Sequence, residues 1–421
     1  MGVSIRDMKS DVCVVGAGPA GLFSAISAAE GGAKIVVIEG NTTACRKLLH
    51  TGRGRCNLTH KGTAAEFVGA YGEFGRFLRP SLYEFCSEDL RQYFSGRGLK
   101  TKLEKGGCVF PVSDRASDVA GVLVEHAREL SVRLMYGRSV ERIEKGGEGF
   151  AVLTGRERIS ARAVIIATGG VSWPFTGSTG DGYEFARGFG HTVVEARAAL
   201  SPLVTAESWP GELGGVGIRE VLIKGKAGGR RVSCSGPLMF TGDGIGGPAV
   251  LDFSRLVTDF LPDYDEPLKV SIDLLPGHEA EELDKEIMGF CSAHPKKELA
   301  GALSGLVPRA VMEQLCRQLN PSGVILAGGL RKKDRKGLVS MLKGLRLSIV
   351  ATSPIAEATV TRGGVCTGQV NPRTMESRQC PGVFFCGEVL NADGPCGGFN
   401  LQIAFSTGYA AGRGAGAGTP A

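Results

Sequence analysis

Two hydrophobic periods run along this chain. Residues 11–15 (DVCVV) form a short, continuous, β-branched run, which predicts a strand covered on both faces. A glycine-rich turn follows. Residues 22–30 are small and apolar enough to predict a closely packed helix, and 34–38 a second buried strand. Over 64–98, Phe67, Phe74, Phe77, Leu78, Leu82 and Phe85 recur at helical spacing, predicting helices with an aromatic core face. Asp114 reads as the N-cap of a helix reaching Leu130, with Val119, Val122, Leu123 and a half-buried His126 on one face. Strands are predicted at 132–136, 140–145, 150–154 and 158–160 and, separately, at 164–167.

From Arg197 the pattern changes. Strand-like segments with glycine-rich turns fill 200–273. A helical stretch at 278–319 is interrupted by Pro308 and ended by Pro321, and strand character returns at 345–351. A last buried strand at 383–386 precedes a small-residue helix at 401–412. Residues 413–421 read as a disordered tail.

A chain of 421 residues exceeds what one core holds, about 250–300 residues, so more than one domain is expected. The alternation predicts an α/β, Rossmann-like domain at 1–196, an inserted β-rich domain at 197–351 with a helical subdomain at 277–322, and the second part of the first domain at 352–421. No run of about 18 apolar residues predicts a membrane span, and the start lacks the apolar core of a signal peptide. Asp7 and the strand that follows argue against myristoylation at Gly2. The net charge of +6 is scattered, with clusters at Arg230-Arg231, Lys296-Lys297 and residues 331–336. Aromatics do not interleave with these clusters and no aromatic platform is visible, which argues against a nucleic-acid partner. Twelve cysteines without a CxxC pair indicate free thiols, a reducing cytoplasmic location and no zinc or other metal site. The pattern specifies no oligomeric state.

The chemistry starts at Gly16-Ala17-Gly18-Pro19-Ala20-Gly21, placed between the first strand and its helix. In such a unit the first glycine makes the turn, the second admits a pyrophosphate and the third lets helix and strand pack. The diphosphate sits on the helix N-terminus. Glu39, about 20 residues on and followed by Gly40, can accept ribose hydroxyls and would repel a 2′-phosphate, so the site suits FAD or NAD. Residues 41–60, dense in Arg, Lys, Asn and Thr, read as a loop wrapping the cofactor.

Four segments together resemble the BaiN/YhiN-like FAD-dependent oxidoreductases, a group that includes aminoacetone oxidase-like proteins. They are Lys47 with TGRGRCNLT at 51–59, ATGGVSWPFTGSTGDG at 167–182, VTRGGV at 360–365, and residues 386–402. The resemblance implies a split, glutathione-reductase-like FAD domain carrying a β-barrel-like insert. It implies that Lys47, Gly52, Arg53, Gly54, Arg55, Cys56 and Asn57 wrap the flavin side of a non-covalent FAD. Val140 would meet the adenine through its backbone, and Ala167, Thr168 and Gly169 would cover the adenosine end. Gly387 and Glu388 would hold the ribityl-pyrophosphate region. Gly398, Asn400, Leu401 and Gln402 would bring N–H groups to the isoalloxazine. The chain departs from the usual pattern at Asn391 and Phe399, where Asp and Tyr are commoner, and Cys396 is read as packing.

The expected activity is hydride transfer at flavin N5, reducing the conjugated C=C of a small hydrophobic enone of steroid or bile-acid type, with NAD(P)H as a transient donor. The substrate is expected between the 53–57 loop, the 361–364 turn and the insert, with Arg53 and Arg362 as catalytic donors to the developing oxyanion. Oxidation of a small amine such as aminoacetone is the alternative enzymatic reading. An FAD-containing RNA-associated protein is the alternative of another class.

Overall fold

The computed structural model describes residues 6–147, 149–261, 266–320 and 324–417. Gly2, Pro321, the 322 boundary and the last four residues of the expected tail lie outside the described residues. The chain forms two compact units, Met1–Arg197 with Val360–Ala421, and Ala198–Thr359.

In the first unit, β1 (Arg6–Val15) leads through α1 (Pro19–Glu30) to β2 (Ile35–Glu39). The sheet continues with β3 (Arg133–Tyr136), β4 (Val140–Gly146), β5 (Gly149–Thr154), β6 (Glu157–Ile166) and β7 (Val383–Phe385). Its order is β3-β2-β1-β6-β5-β4, and β7 also pairs with β6. β1 lies parallel to β2, Val12 opposite Ile35, and to β6, Val15 opposite Ile166. The two strands expected at 158–160 and 164–167 are therefore one. The outer half of β6 alternates buried and exposed beside antiparallel β5, while Val164, Ile165 and Ile166 are fully buried between β1 and β7. One strand in two environments shows two sequence patterns.

The expected helical run at 64–98 breaks into α2 (Ala64–Ala70), α3 (Gly75–Glu84) and α4 (Ser87–Gly96). Thr63 and Glu66 close a capping box on α2. α5 (Ala116–Glu129) has Arg115 at its N-cap position, without a side-chain capping bond. Asp114 adopts φ 52° and gives its carboxylate to Lys102, so it does not cap. His126 is more buried than expected, at 3% exposure.

After α6 (Asp181–Gly188), α7 (Phe399–Gly416) runs well past the expected end at residue 412. Its small residues form the contact with α1: a Cβ on Gly412 would lie 2.3 Å from Ser24 O, and one on Gly408 2.7 Å from Ala20 O. Residues 413–416 are thus helix, not tail, and Ala415 is fully buried.

The second unit is built on a closed barrel of Leu203–Thr205, Gly244–Gly246, Arg230–Thr241, Gly217–Ala227, Leu268–Asp273 and Leu345–Thr352, in that order round the barrel. The helix Pro248–Val257 sets Phe253 against Gly225, where a Cβ would lie 2.8 Å from the ring. Helices Ala280–Ala293, Arg309–Leu319 and Lys332–Lys343 add a helical part. The last of these was hidden by its charge, since only Leu338, Val339 and Leu342 are buried.

Candidate dinucleotide site

The three glycines of the first turn differ physically. Gly16 sits at φ 103°, and a Cβ there would lie 2.5 Å from Ala167 O. A Cβ on Gly21 would lie 1.9 Å from Gly16 O. Both are needed for close packing. Gly18 is the exception: a Cβ there would meet nothing within 4 Å. Beyond it α1 begins with Pro19 and has no side-chain cap and no acidic residue in its first turn. The positive end of that helix therefore faces open space, the condition for holding an anion. Glu39 is fixed at the end of β2, accepting from Ala17 N at 2.8 Å, Asn41 N at 2.8 Å and Asn41 Nδ2 at 2.7 Å.

Two half-buried side chains expected to touch the cofactor each hold a buried polar atom that lacks a partner among the described residues: Asn57 Oδ1 and Thr168 Oγ1. Each such atom costs about 1–3 kcal/mol unless something satisfies it. The open face at Gly18, Glu39 and these two atoms fit a dinucleotide.

Residues 52–56 wind tightly. Gly52, Arg53, Gly54 and Cys56 all have positive φ, between 57° and 83°. Arg53 is exposed and makes no ion pair among the described residues. Arg55 points elsewhere than expected. Its guanidinium pairs with Glu104 at 2.9 Å and Asp114 at 3.5 Å and lies 4.1 Å above the Phe110 ring, partners too distant in sequence to be read from it. Cys56 is fully buried, and burial pushes its thiol up to about 12.

Lys47 and Glu388 are brought together. Lys47 Nζ donates to Glu388 Oε2 at 2.7 Å and to Ser172 Oγ at 2.6 Å. Thr361 N donates to Glu388 Oε1 at 2.8 Å, while Thr361 Oγ1 accepts from Val171 N and Ser172 N at 2.9 and 3.0 Å. This largely buried network ties together the segments around Lys47, Ser172, Thr361 and Glu388; Ser172 and Glu388 follow the carboxyl ends of β6 and β7, where ligands of such sheets bind. Ser172 was missed as a site residue, and Thr361 was expected only in the turn bordering the substrate, although both stand in the family-like segments. Gly169 (φ 78°) and Gly387 (φ 76°) make the turns after β6 and β7. Val140 starts strand β4 at the far end of the sheet order, opposite Thr154, and Gly40 follows β2.

At the start of α7, Gly398 (φ 98°) presses against Thr59, where a Cβ would lie 2.4 Å from the carbonyl carbon. The N–H groups of Phe399, Asn400 and Leu401 begin the helix and have no acceptor within it. Gln402 departs from expectation. Its N–H already donates to Gly398 O, and its buried side chain accepts from Thr59 Oγ1 at 2.6 Å. Asn400 Oδ1 accepts from Gly394 N at 2.9 Å and shapes the preceding loop. Phe399 stacks on His60 at 4.8 Å, and its carbonyl accepts from the Tyr71 hydroxyl at 2.8 Å.

Arg362 donates to the fully buried Asp393 at 2.9 Å, pairs with Glu73 and covers Phe74 at 5.1 Å. Its charge is committed within the fold, unlike that of Arg53.

The fold also assembles an aromatic surface that sequence spacing hides. Trp173 and Phe175 stack at 6.0 Å, and His50 stands edge-on to them at 5.7 and 5.5 Å. Sequence spacing did not anticipate this cluster, because its rings come from segments more than 120 positions apart.

Among the described residues no group of three or more His, Cys, Asp or Glu could hold a metal ion, and no helix is long and apolar enough to cross a membrane. A family model described as HI0933-like protein Rossmann domain matches residues 10–414. The chain is 33% identical over 406 residues to a 3-dehydro-bile acid delta(4,6)-reductase of Clostridium scindens, covering 96% of this chain and 98% of that one. It is 31% identical over 407 residues to a ribosomal RNA dihydrouridine synthase of Escherichia coli, covering 96% and 97%. Among solved structures, the 3-ketosteroid delta1-dehydrogenase of Sterolibacterium denitrificans aligns with a TM-score of 0.53 at 14% identity, over 98% of this chain and all of that one. At that identity the likeness concerns the fold.

Proposed function

This chain belongs to the HI0933-like, BaiN/YhiN-like Rossmann family and is an FAD-dependent oxidoreductase; from that premise we propose that it reduces a carbon–carbon double bond conjugated to a carbonyl. The bond class is supported by both relatives: a delta(4,6)-reductase acts on a steroid skeleton, and a dihydrouridine synthase forms a saturated uracil. A small hydrophobic enone is the first substrate reading and a uracil ring the second. The aromatic surface at Trp173 favours the second.

Bound FAD would supply a hydride acceptor and donor at its N5. Gly16, Gly18, Gly21 and the N-terminus of α1 would hold the diphosphate, Glu39 the ribose, and Asn57, Thr168 and the start of α7 the remaining polar edges. Hydride addition to the double bond sends its electron pair to the carbonyl oxygen. That oxygen then needs a permanent donor, and arginine is one at any working pH. The single observation that carries this reading is Arg53, exposed, without an ion pair among the described residues, and held in a left-handed turn four residues before the unsatisfied Asn57. Arg362 is the weaker donor because Asp393 and Glu73 already take its charge. A cytoplasmic location and NAD(P)H as electron donor belong to the same proposal.

Anaerobic titration tests it. NADH or NADPH should bleach the flavin absorbance, and a 3-oxo-4-ene steroid or a uridine-containing RNA should restore it. Bleaching by aminoacetone, with none by either nicotinamide, would replace the reading with an amine oxidase.

A further inference from the structure

We propose that Trp173, Phe175 and His50 form a base-stacking platform for single-stranded RNA beside the cofactor site. This deepens the reading above by assigning the reducible bond to a uridine, and it rests on that reading for the chemistry alone.

Phe175 is 59% exposed, and its ring stacks on Trp173 at an interplanar angle of 24°. The stack keeps an open side, which is what an unpaired base requires. The turn that presents it is built for rigidity. Trp173 takes φ 53°, a left-handed conformation unusual for a bulky residue, and Pro174 fixes the next position. Thr176 Oγ1 donates back to Trp173 O at 2.7 Å, and Thr176 O accepts from Asn41 Nδ2 at 3.0 Å. Asn41 in turn binds Glu39, and Ser172, immediately before the tryptophan, binds Lys47 and Glu388. The platform is thus anchored at both ends to residues of the dinucleotide site.

Ring shape and charge together choose the occupant. His50 and Arg53 are three positions apart in the segment Leu48–Gly54, whose backbone kinks at residues 51–53, and Arg53 is exposed. An RNA strand meets both features: its bases have flat faces for the rings, and a uracil carbonyl suits the guanidinium that the reading above assigns to the developing oxyanion. A steroid enone offers the guanidinium the same kind of carbonyl, but only one small planar patch for the rings. Sequence-tolerant recognition of unstacked bases uses this combination of aromatic faces and positive charge.

The chain has two tryptophans, so Trp209→Phe leaves Trp173 as the sole reporter. The holoprotein carrying that change is titrated with a short oligouridylate and, separately, with a 3-oxo-4-ene bile acid, following indole fluorescence. The RNA should quench it, with an affinity that falls as salt rises. Phe175→Ala should weaken binding by about 5- to 100-fold with FAD content unchanged. Tyr83→Ala, at an equally exposed ring (59%), should change nothing. Quenching by the steroid and not the RNA, binding indifferent to salt, or equal losses for Phe175→Ala and Tyr83→Ala would overturn the platform. RNA binding that depends on Phe175, without reduction of the bound uridine, would support the platform and overturn uridine as the reducible substrate.

Discussion

Gly18→Val separates folding from cofactor retention. At Gly18 the backbone angles are −73° and 178°, extended geometry open to a β-branched residue, and the space where the side chain would go holds no protein atom within 4 Å. Valine is a poorer N-cap than glycine by about 1 kcal/mol, offset by about 0.4–1 kcal/mol from the narrower unfolded ensemble. The apoprotein should therefore keep its stability within about 1 kcal/mol. The two methyl groups would stand before the free N–H groups of α1. Hydrogen bonds to a charged partner contribute about 1.5–3 kcal/mol each, so losing two weakens FAD by about 3–6 kcal/mol, or roughly 10²- to 10⁴-fold. Apoprotein is prepared by mild denaturation, which should release all of the flavin, and is then titrated with FAD by fluorescence quenching while denaturant unfolding is measured in parallel. Gly21→Ala is the contrast: its Cβ would fall 1.9 Å from Gly16 O, so fold and binding should fail together. A Gly18→Val protein that binds FAD like wild type, or one that unfolds like Gly21→Ala, would refute the assignment of that open space.

Two further expectations follow from charge. Arg53→Met should lower turnover by about 10²-fold or more without loss of FAD, whereas Arg362→Met should show mainly in denaturation midpoints. The latter removes a cationic partner from the fully buried Asp393, at a cost of about 3–5 kcal/mol, part of which Asp393→Asn should restore. Burial lowers the pKa of His126 from its ordinary 6.5 to about 4, opposed by Glu129 and assisted by Arg97; its Nδ1 shares a hydrogen bond with Tyr93 OH and its Nε2 faces Glu30. The unfolded chain takes up the proton first, so the stabilisation is complete above pH 6.5 and declines as pH falls towards 4. His126→Gln should flatten that part of the stability–pH curve, and an unchanged slope would show that other groups set it.

The legible parts of the chain were those with local signals. The first β-α-β unit could be read because strand period, glycine spacing and Glu39 fall within one short segment. Partners far apart in sequence could not be read. Arg55 finds Glu104, Arg362 finds Asp393, and Lys47 finds Ser172 and Glu388, each through folding and not through spacing. Polarity misled twice. The charged helix Lys332–Lys343 buries too few residues to show a stripe, and the glycine-rich end of α7 resembled slack because its close contacts require the absence of side chains.

The seam between α1 and α7 has a consequence for biosynthesis. Ser27 Oγ donates to Tyr409 O across 382 positions. At about 5–20 residues per second, a ribosome needs roughly 20–75 s to travel that distance. Throughout this interval the small-residue face of α1 lacks its cover, and the inner half of β6 waits for β7 with an open strand edge, a template for aberrant pairing. The barrel emerges complete in the meantime and leaves no such edge. The amino-terminal half therefore stays uncovered during this interval, and the flavin site is incomplete until α7 packs on α1. A pulse of synthesis without chaperones should yield aggregates seeded by the early strands, with soluble apoprotein recovered only from chains that include α7.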